Sequence, residues 1–207
     1  MAGLYVHVPF CAAICHYCNF TRGLLDEAVK ARYVRAVVAD IGRQGTGAPI
    51  ESIFFGGGTP SLMPPRLVAD LLEQARRLWG FADGIEITLE ANPESVTEAQ
   101  TTGYLEAGVN RVSLGVQSFR DEELTRLGRL HSASRAVAAV HDLRAAGVTN
   151  LSLDLMLWLP EQTRVHLRES IARLIEVEPD HASVYLLEVY PNSPLKDTMA
   201  RGGWVVS

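Results

Sequence analysis

The sequence predicts an α/β fold, an open or partial parallel β/α barrel of about six strand–helix units. Short apolar segments typical of strands alternate along the chain with longer segments whose apolar residues recur every three or four positions, as in helices. Strict alternation of this kind favours a parallel sheet with right-handed crossovers. A closed barrel of eight units typically needs about 250 residues. The 207 residues of this chain therefore favour an incomplete barrel.

The predicted elements follow one another in regular order. Strands are expected at residues 4–8, 52–55, 85–89, 111–115, 151–155 and 183–187. Helices are expected at residues 26–41, from 65 onwards, from 95 to about 108, from 121 onwards, at 132–147 and at 161–177. We interpret residues 42–49 as an ordinary connection.

The helix boundaries rest on local signals. Gly42 stops the first helix, Pro65 suits the first turn of the second, and Ser95 with Glu98 has the spacing of a capping box for the third. The predicted core faces of the first two helices are Val29, Tyr33, Val37, Val38 and Ile41, and Leu67, Val68, Leu71, Leu72, Ala75 and Leu78.

Composition and charge exclude several classes of protein. Apolar residues make up 47% and charged residues 21% of the chain, which is enough to bury a core without disulfides. The formal net charge is −5 and no Lys/Arg-rich run is present, which argues against binding nucleic acid through a basic face. We find neither a membrane-spanning apolar stretch nor a signal peptide, so we expect a cytoplasmic protein with reduced thiols.

Unusual residues collect at the carboxyl ends of the predicted strands, where parallel α/β folds place their chemistry. They are the cysteines after the first strand, residues 56–60 after the second, residues 90–93 after the third, residues 117–119 after the fourth, Asp154 in the fifth and Glu188 after the sixth. A single site at this edge of the sheet explains all of them.

All three cysteines of the chain share the spacing Cys-x3-Cys-x2-Cys, at Cys11, Cys15 and Cys18. An odd, clustered set in a reducing compartment indicates a metal rather than disulfides. Three thiolates can hold three irons of a 4Fe-4S cluster and leave the fourth iron open to a small molecule. Zinc is an alternative that needs a fourth ligand such as His7 or His16, and incidental cysteines are the third interpretation.

Other candidate residues have both a functional and a structural interpretation. The glycine run either lets a ligand approach the strand end closely or makes a tight turn. Glu90 either faces the site or pairs at the surface. Asp154 lies in an apolar strand, where a carboxylate is costly unless it is paired or binds something. We interpret His7, His131 and His181 as hydrogen-bonded framework residues.

The motifs together resemble a known family. The cysteine motif, with Tyr17 before its last cysteine, resembles the signature of radical S-adenosylmethionine (SAM) proteins. Further familiar segments are residues 5–11, 55–61, 90–93, 111–119, 127–131, 154–156, 159–163 and 181–185. The set is similar to the oxygen-independent coproporphyrinogen III oxidase group, and within it to the HemW-type heme chaperone branch. The resemblance covers nearly the whole chain.

The resemblance implies a partial barrel of the radical SAM type and one core domain over residues 1–207. It implies that Cys11, Cys15 and Cys18 hold a 4Fe-4S cluster whose open iron is chelated by the amino and carboxylate groups of SAM. The positions that match SAM-contacting residues of the oxidases are Tyr5, Tyr17, Gly57, Gly58, Thr59, Glu90, Gln117, Arg129, Asp154 and the backbone near Glu188.

The chemistry of these residue types agrees with such roles. The glycine turn and Glu90 suit an ammonium or hydroxyl group, Arg129 suits a carboxylate, and Asp154 suits a ribose hydroxyl or an ammonium group. The electron transfer and radical chemistry are the cofactors' own, while the protein supplies binding and exclusion of water.

Three functions remain open at this point. The first is a SAM- and cluster-binding heme chaperone, with heme or a porphyrin as ligand and a heme-accepting protein as partner. The second is an oxygen-independent coproporphyrinogen III oxidase, but the true oxidases carry a further cysteine where this chain has Phe20. The third is an inactive or zinc-stabilised domain.

The chain departs from the family pattern in three places. His16 stands where relatives often have proline. Trp158 stands where the family usually has glycine, and because an indole does not readily take positive φ, we expect it to crowd the site and weaken binding of SAM or substrate. Relatives continue with a linker and a C-terminal domain, whereas this chain ends at residues 204–207. We therefore expect it to correspond to the N-terminal portion of the family architecture.

Overall fold

The computed structural model describes residues 2–44, 47–191 and 193–202. The strands in this part of the chain are β1 (Gly3–Val8), β2 (Phe10–Cys11), β3 (Gly23–Leu24), β4 (Ile50–Gly57), β5 (Phe81–Ala91), β6 (Arg111–Gln117), β7 (Leu151–Leu157) and β8 (His181–Leu186). The α-helices are α1 (Glu27–Ile41), α2 (Pro65–Trp79), α3 (Glu98–Ala107), α4 (Asp121–Leu127), α5 (Ala133–Ala145), α6 (Arg164–Glu176) and α7 (Pro194–Ala200). Short 3-10 turns at Pro60–Leu62 and Pro93–Ser95 follow β4 and β5.

Six strands form one parallel sheet in the order β1-β4-β5-β6-β7-β8. Each strand is parallel to its neighbours, and helices connect the successive strands of the sheet. This is the open, partial α/β barrel that the alternation of elements predicted, and the prediction is confirmed. Because all strands run the same way, their carboxyl ends share one edge of the sheet. The pairing of Gly115 with Asp154 and of Asp154 with Ser183 shows this alignment.

Residues of β6 show how one strand serves both the core and the site. Val112, Leu114 and Val116 are buried in the main hydrophobic cluster of the protein. Ser113 and Gln117, at alternate positions, line a cavity on the other face of the sheet. The two-residue period of a strand separates the two sets.

The core face of α1 agrees with the prediction at Tyr33, Val37, Val38 and Ile41 and differs at its start. Val29 was predicted to be buried but is 46% exposed, while Lys30 and Val34 are buried. Lys30 tolerates burial because its ammonium group donates to Glu27 Oε1 at 2.8 Å and to the backbone oxygen of Leu62 at 3.4 Å. Its aliphatic stem then covers apolar surface. The predicted face of α2 agrees with its buried residues Val68, Leu71, Leu72 and Ala75.

The start of α3 also differs from the prediction. The N-cap is Thr97, whose hydroxyl accepts from the backbone N–H of Gln100, and not Ser95. Ser95 belongs to the preceding 3-10 turn, where its hydroxyl donates to the backbone oxygen of Asn92 at 2.8 Å. With that hydroxyl engaged, the next threonine takes over the cap.

Three elements were not predicted from the sequence: the short parallel pair β2–β3 and the helix α7. The pair encloses the cysteine segment, because β2 ends at Cys11 and β3 begins at Gly23. Within the predicted connection 42–49, residues 45 and 46 lie outside the described residues, as do residues 204–207. No helix in the described ranges is both long and apolar enough to cross a lipid bilayer.

Candidate functional site

The carboxyl ends of the central strands surround an open cavity. Of the site residues predicted from the sequence, it brings together Cys11, Cys15, Cys18, Tyr17, Gly57, Gly58, Thr59, Glu90, Gln117, Arg129 and Asp154. Two predicted residues do not line it. Tyr5 lies beside it, 56% exposed, with its hydroxyl 3.1 Å from His7 Nδ1. Glu188 is exposed on the loop after β8, where its carboxylate accepts from the hydroxyl of Tyr190.

Each thiol of the cysteine segment has a hydrogen-bond donor beside it. The thiols are free, and Cys11 is buried while Cys15 and Cys18 are half-buried. The hydroxyl of Thr59 donates to Cys11, and the backbone N–H of Phe20 donates to Cys18. Arg129 Nη1 lies 3.5 Å from Cys15 Sγ. Donors at every sulfur favour thiolates, which are the form that binds metal.

Burial nevertheless opposes ionisation of these thiols. It raises the pKa of the Cys11 and Cys18 thiols, and the mutual repulsion of the cysteines raises it further. The hydrogen bond from Thr59 counteracts the rise at Cys11, and that from Phe20 counteracts it at Cys18. A cationic metal centre would remove the remaining cost, because it replaces the proton as the positive partner of each sulfur.

A hydrogen-bonded arc joins two of the cysteines across the cavity. Thr59, which donates to Cys11, accepts from Asn92 Nδ2 at 3.1 Å. Asn92 Oδ1 accepts from Arg129 Nη2 at 2.6 Å, and Arg129 Nη1 reaches Cys15. The backbone oxygen of Gly115 accepts from Arg129 Nη2 at 2.7 Å. The arc therefore couples the position of the cysteines to the ends of three strands.

Two carboxylates face one another on the opposite wall. Burial raises the pKa of Glu90 from 4.5 to about 7, and the nearby charge of Asp154 adds to the rise. Burial also raises the pKa of Asp154, although hydrogen bonds from Ser183 and Ser113 oppose the rise. The backbone N–H of Gly57 donates to Glu90 Oε2 at 3.1 Å. Two carboxylates held this way favour a cationic ligand, since a positive charge relieves their repulsion.

The glycines after β4 permit a close approach of the chain to the cysteine segment. Gly57 has a φ of 111°, and an added Cβ would lie 2.6 Å from the ring of His7. At Gly58 it would lie 2.7 Å from the backbone oxygen of Phe10 and 3.0 Å from Cys11 Sγ. Gly57 and Gly58 are therefore required for close packing of the chain, and they also line the cavity. The tight-turn interpretation and the ligand-approach interpretation of the glycine run are thus compatible.

Three buried polar atoms in the cavity wall lack partners. They are Gln117 Oε1, Arg129 Nε and Arg22 Nε. Gln117 also adopts a φ of 70°, which is strained for a residue with a side chain. A buried donor and acceptor left without partners are costly unless a ligand satisfies them. An amino acid moiety such as that of SAM carries an acceptor for Arg129 and a donor for Gln117. The residues present thus fit the expected cofactors.

The histidines considered as zinc ligands are otherwise engaged. His7 Nε2 lies 2.7 Å from the backbone oxygen of Thr21, and His16 Nδ1 lies 2.7 Å from that of Arg126. Over the described residues, no three His, Cys, Asp or Glu side chains converge on a position for one metal ion. Cysteines that each bind a different iron of a cluster do not have to converge in this way.

His131 and His181 are hydrogen-bonded framework residues, as expected. His131 Nε2 lies 3.0 Å from the backbone oxygen of Val116, and its Nδ1 lies 3.2 Å from Glu94 Oε2. His181 Nδ1 lies 2.9 Å from Ser152 Oγ.

The two residues that differ from the family pattern, Trp158 and His16, lie at the periphery of the site. Trp158 adopts a φ of 64°, and it is 62% exposed, outside the lining of the cavity. Its predicted effect on SAM binding stays a prediction. His16 packs against Gly128, where an added Cβ would lie 2.9 Å from the imidazole ring, and its backbone N–H donates to the oxygen of Leu127. It thereby ties the cysteine segment to the end of α4.

Several lining residues were missed by the sequence analysis as site residues. Ser113 and Gly115 share the face of β6 that carries Gln117, so the two-residue strand period was the signal that identifies them. Asn92 lies within a recognised motif, but its link between Thr59 and Arg129 depends on the fold. Arg22 lines the cavity as well, and no motif pointed to it.

Comparison with known proteins agrees with this geometry. The sequence profile of the Radical SAM superfamily matches residues 5–174. The heme chaperone HemW of Haemophilus influenzae is 39% identical over 198 residues, which cover 92% of this chain and 52% of that protein. The mouse protein named radical S-adenosyl methionine domain-containing protein 1, mitochondrial, is 39% identical over 206 residues, which cover 97% of this chain and 46% of that protein.

A solved structure shows the same architecture. It is described as coproporphyrinogen III oxidase (HemN) from Escherichia coli, a radical SAM enzyme. It superposes with a TM-score of 0.83 at 25% identity, covering 97% of this chain and 52% of that one. The chain thus spans about half the length of the curated relatives that it matches. Because the superfamily profile covers most of the sequence, and the fold and cysteine motif agree with it, this chain belongs to the Radical SAM superfamily, whose members use SAM and a 4Fe-4S cluster.

Proposed function

We propose that this chain holds a 4Fe-4S cluster at Cys11, Cys15 and Cys18, binds SAM in the adjoining cavity, and acts in heme handling as a heme chaperone. One observation carries the cofactor part of the proposal. Three thiols with individual donors stand at a cavity whose wall contains the unpartnered buried atoms of Gln117 and Arg129.

The chain's own residues would bind and orient SAM. Arg129 offers its free Nε to the carboxylate, and Glu90 and Asp154 attract the ammonium or hydroxyl groups. Gly57 and Gly58 leave the backbone at the end of β4 open to the ligand. When bound, the reduced cluster supplies an electron to the sulfonium group of SAM.

The proposal also includes four further positions of the predicted SAM site, the extent of the domain and the location of the protein. Tyr17 and Thr59 line the same cavity and complete the contacts with SAM. Tyr5, beside the cavity, contributes from its edge. The backbone near Glu188 reaches SAM only if the loop after β8 closes toward the cavity. The single core domain over residues 1–207 and a cytoplasmic location belong to the same proposal.

The heme chaperone assignment rests on sequence similarity. Three relatives named heme chaperone HemW are 36–39% identical over at least 92% of this chain. The oxidase structure has lower identity, and the oxidases' additional cysteine is replaced here by Phe20, which is 61% exposed at the cavity. We therefore propose a heme or porphyrin ligand and a heme-accepting partner protein. Oxidase activity is the alternative, and the heme experiment below distinguishes the two.

Anaerobic reconstitution with iron and sulfide tests the cofactor part. We expect the charge-transfer absorbance of a cluster with about four irons per chain, and formation of 5′-deoxyadenosine from SAM after reduction. Cys15→Ala should lose both, whereas Asn19→Ala, at an exposed neighbour of Cys18, should keep both. A chain that binds one zinc ion and no cluster would contradict the proposal.

Heme titration of the reconstituted chain tests the chaperone part. We expect saturable binding with one heme per chain and no decarboxylation of added coproporphyrinogen III. Turnover of coproporphyrinogen III would instead establish the oxidase. Absence of saturable heme binding would refute the chaperone role for this portion of the protein.

A further inference from the structure

Arg22 places a positive charge at the wall of the cavity. It follows Cys18 by four residues and lines the cavity together with all three cysteines. Its Nη1 donates to the backbone oxygen of Phe20 at 2.9 Å, and its Nη2 donates to the backbone oxygen of Cys18. The guanidinium group is thus held against the end of the cysteine segment.

This guanidinium group has no anionic partner among the residues that the structure describes. Among the ion pairs of the described residues none includes Arg22, and its buried Nε has no hydrogen-bond partner. Arg22 is half-buried, and a cation partly withdrawn from water without a counter-charge is costly. Its field acts on Cys11 and Cys18, where it opposes the rise in pKa that burial causes and so favours the thiolates.

A second guanidinium group acts from the other side of the cysteines. Arg129 reaches Cys15, and it also lacks a direct carboxylate partner among the described residues. Two cations therefore flank three thiols, Arg22 toward Cys11 and Cys18, and Arg129 toward Cys15. These cations stand on the side of the cavity that carries the thiols, whereas Glu90 and Asp154 stand on the opposite wall. The placement suits a ligand set that becomes more negative on loading.

We propose that Arg22 is a counter-charge for the cluster and raises its reduction potential. The inference rests on the proposed function, in which three thiolates hold a 4Fe-4S cluster. Such a cluster carries one negative charge when oxidised and two when reduced, so a nearby cation stabilises the reduced form more. The single electron comes from an external low-potential one-electron donor, and no covalent bond forms or breaks.

The hydrogen bonds of Arg22 act in the same direction as its charge. Its Nη1 fixes the carbonyl group of Phe20, the residue whose N–H donates to Cys18. A donor to a cluster sulfur also stabilises the reduced state, because hydrogen bonds to the sulfurs help to set the potential. Lysine at position 22 would retain the charge but lose the planar fork that engages two carbonyl groups.

Redox titration of the reconstituted full chain, monitored by electron paramagnetic resonance with dithionite as the donor, tests the proposal. For Arg22→Gln we expect the one-electron reduction equilibrium to fall about tenfold, a midpoint about 59 mV more negative. Arg22→Lys should remain within about threefold of the wild type. Arg77→Gln, which removes an exposed arginine of α2, controls for net charge and should leave the midpoint unchanged.

The midpoint is read from the loaded fraction, so a variant that loads poorly still gives a value. If wild type and Arg22→Gln differ by less than about twofold in the equilibrium, Arg22 has no such role, and the cofactor proposal stands. An equal fall in Arg22→Gln and Arg77→Gln would also overturn the inference, because it would show only a net-charge effect. A wild-type chain that takes up no cluster overturns both proposals.

Discussion

The raised pKa of Glu90 predicts that the protein becomes more stable when this carboxyl group is replaced by an amide. In the folded chain the pKa moves from 4.5 to about 7 because of burial and the charge of Asp154. The folded state therefore binds the proton more tightly than the unfolded state. The stability difference is small below pH 4.5, grows as pH rises toward 7, and is constant above it. Ionised Glu90 thus costs about 3 kcal/mol above pH 7.

Glu90→Gln removes that cost while its side-chain oxygen can still accept from the N–H of Gly57. We expect urea denaturation of the cluster-free chain at pH 8 to show a gain of about 3 kcal/mol. At pH 5 the gain should be below about 1 kcal/mol. Glu86→Gln, on an exposed residue of the same strand, is the matched control and should show no such pH dependence. Equal effects of Glu90→Gln at the two pH values would refute the reasoning.

The same carboxyl group should make SAM binding depend on pH. Because a cationic ligand favours ionised Glu90, affinity for SAM in the wild type should rise as pH increases through about 7. Isothermal titration of the reconstituted chain should show weaker and nearly pH-independent binding in Glu90→Gln. An affinity that rises equally in both proteins would assign the pH dependence to another group.

Three further changes have definite expected outcomes. Gly58→Ala forces a Cβ within 3.0 Å of Cys11 Sγ and should reduce cluster uptake severalfold by iron assay, whereas Gly23→Ala, with open space around it, should not. Trp158→Gly removes a side chain held at positive φ and should raise stability by about 1 kcal/mol in urea denaturation, and SAM titration shows whether affinity rises with it. Tyr104→Phe deletes a buried hydroxyl that donates to the backbone oxygens of Ser61 and Met63 and should cost about 1–3 kcal/mol. Unchanged cluster uptake in Gly58→Ala would contradict the first expectation, and unchanged stability in Trp158→Gly would contradict the second. For Tyr104→Phe, a loss of stability below about 0.5 kcal/mol would contradict the third.

The position of the site followed from the sequence because a parallel sheet gathers the carboxyl ends of its strands at one edge. Knowing the strand order was unnecessary. Glu90, Gln117 and Asp154 lie far apart in the chain, yet each stands at or near a strand end, and the structure brings them to one cavity. The cysteine spacing is local, and the structure places all three cysteines at the same cavity.

Predictions that depended on competition between neighbouring groups were less accurate. Ser95 and Thr97 both suit a helix N-cap, and the contacts of Ser95 with Asn92 decide between them. Likewise, burial of Lys30 depends on an acceptor, the backbone oxygen of Leu62, which is distant in sequence. Periodicity alone does not contain such contacts.

The sequence by itself determined the fold class and the edge of the sheet at which the three cysteines and the other candidate residues lie, since these follow from local spacing and from the two-residue strand period. Only the tertiary structure decided that Asn92 links Thr59 to Arg129 and that Arg22 is left without a carboxylate partner among the described ion pairs. It also placed Glu188 away from the cavity lining. Hydrogen bonds and charge balance of this kind arise between segments distant in the chain, so they exist only once the strands have assembled.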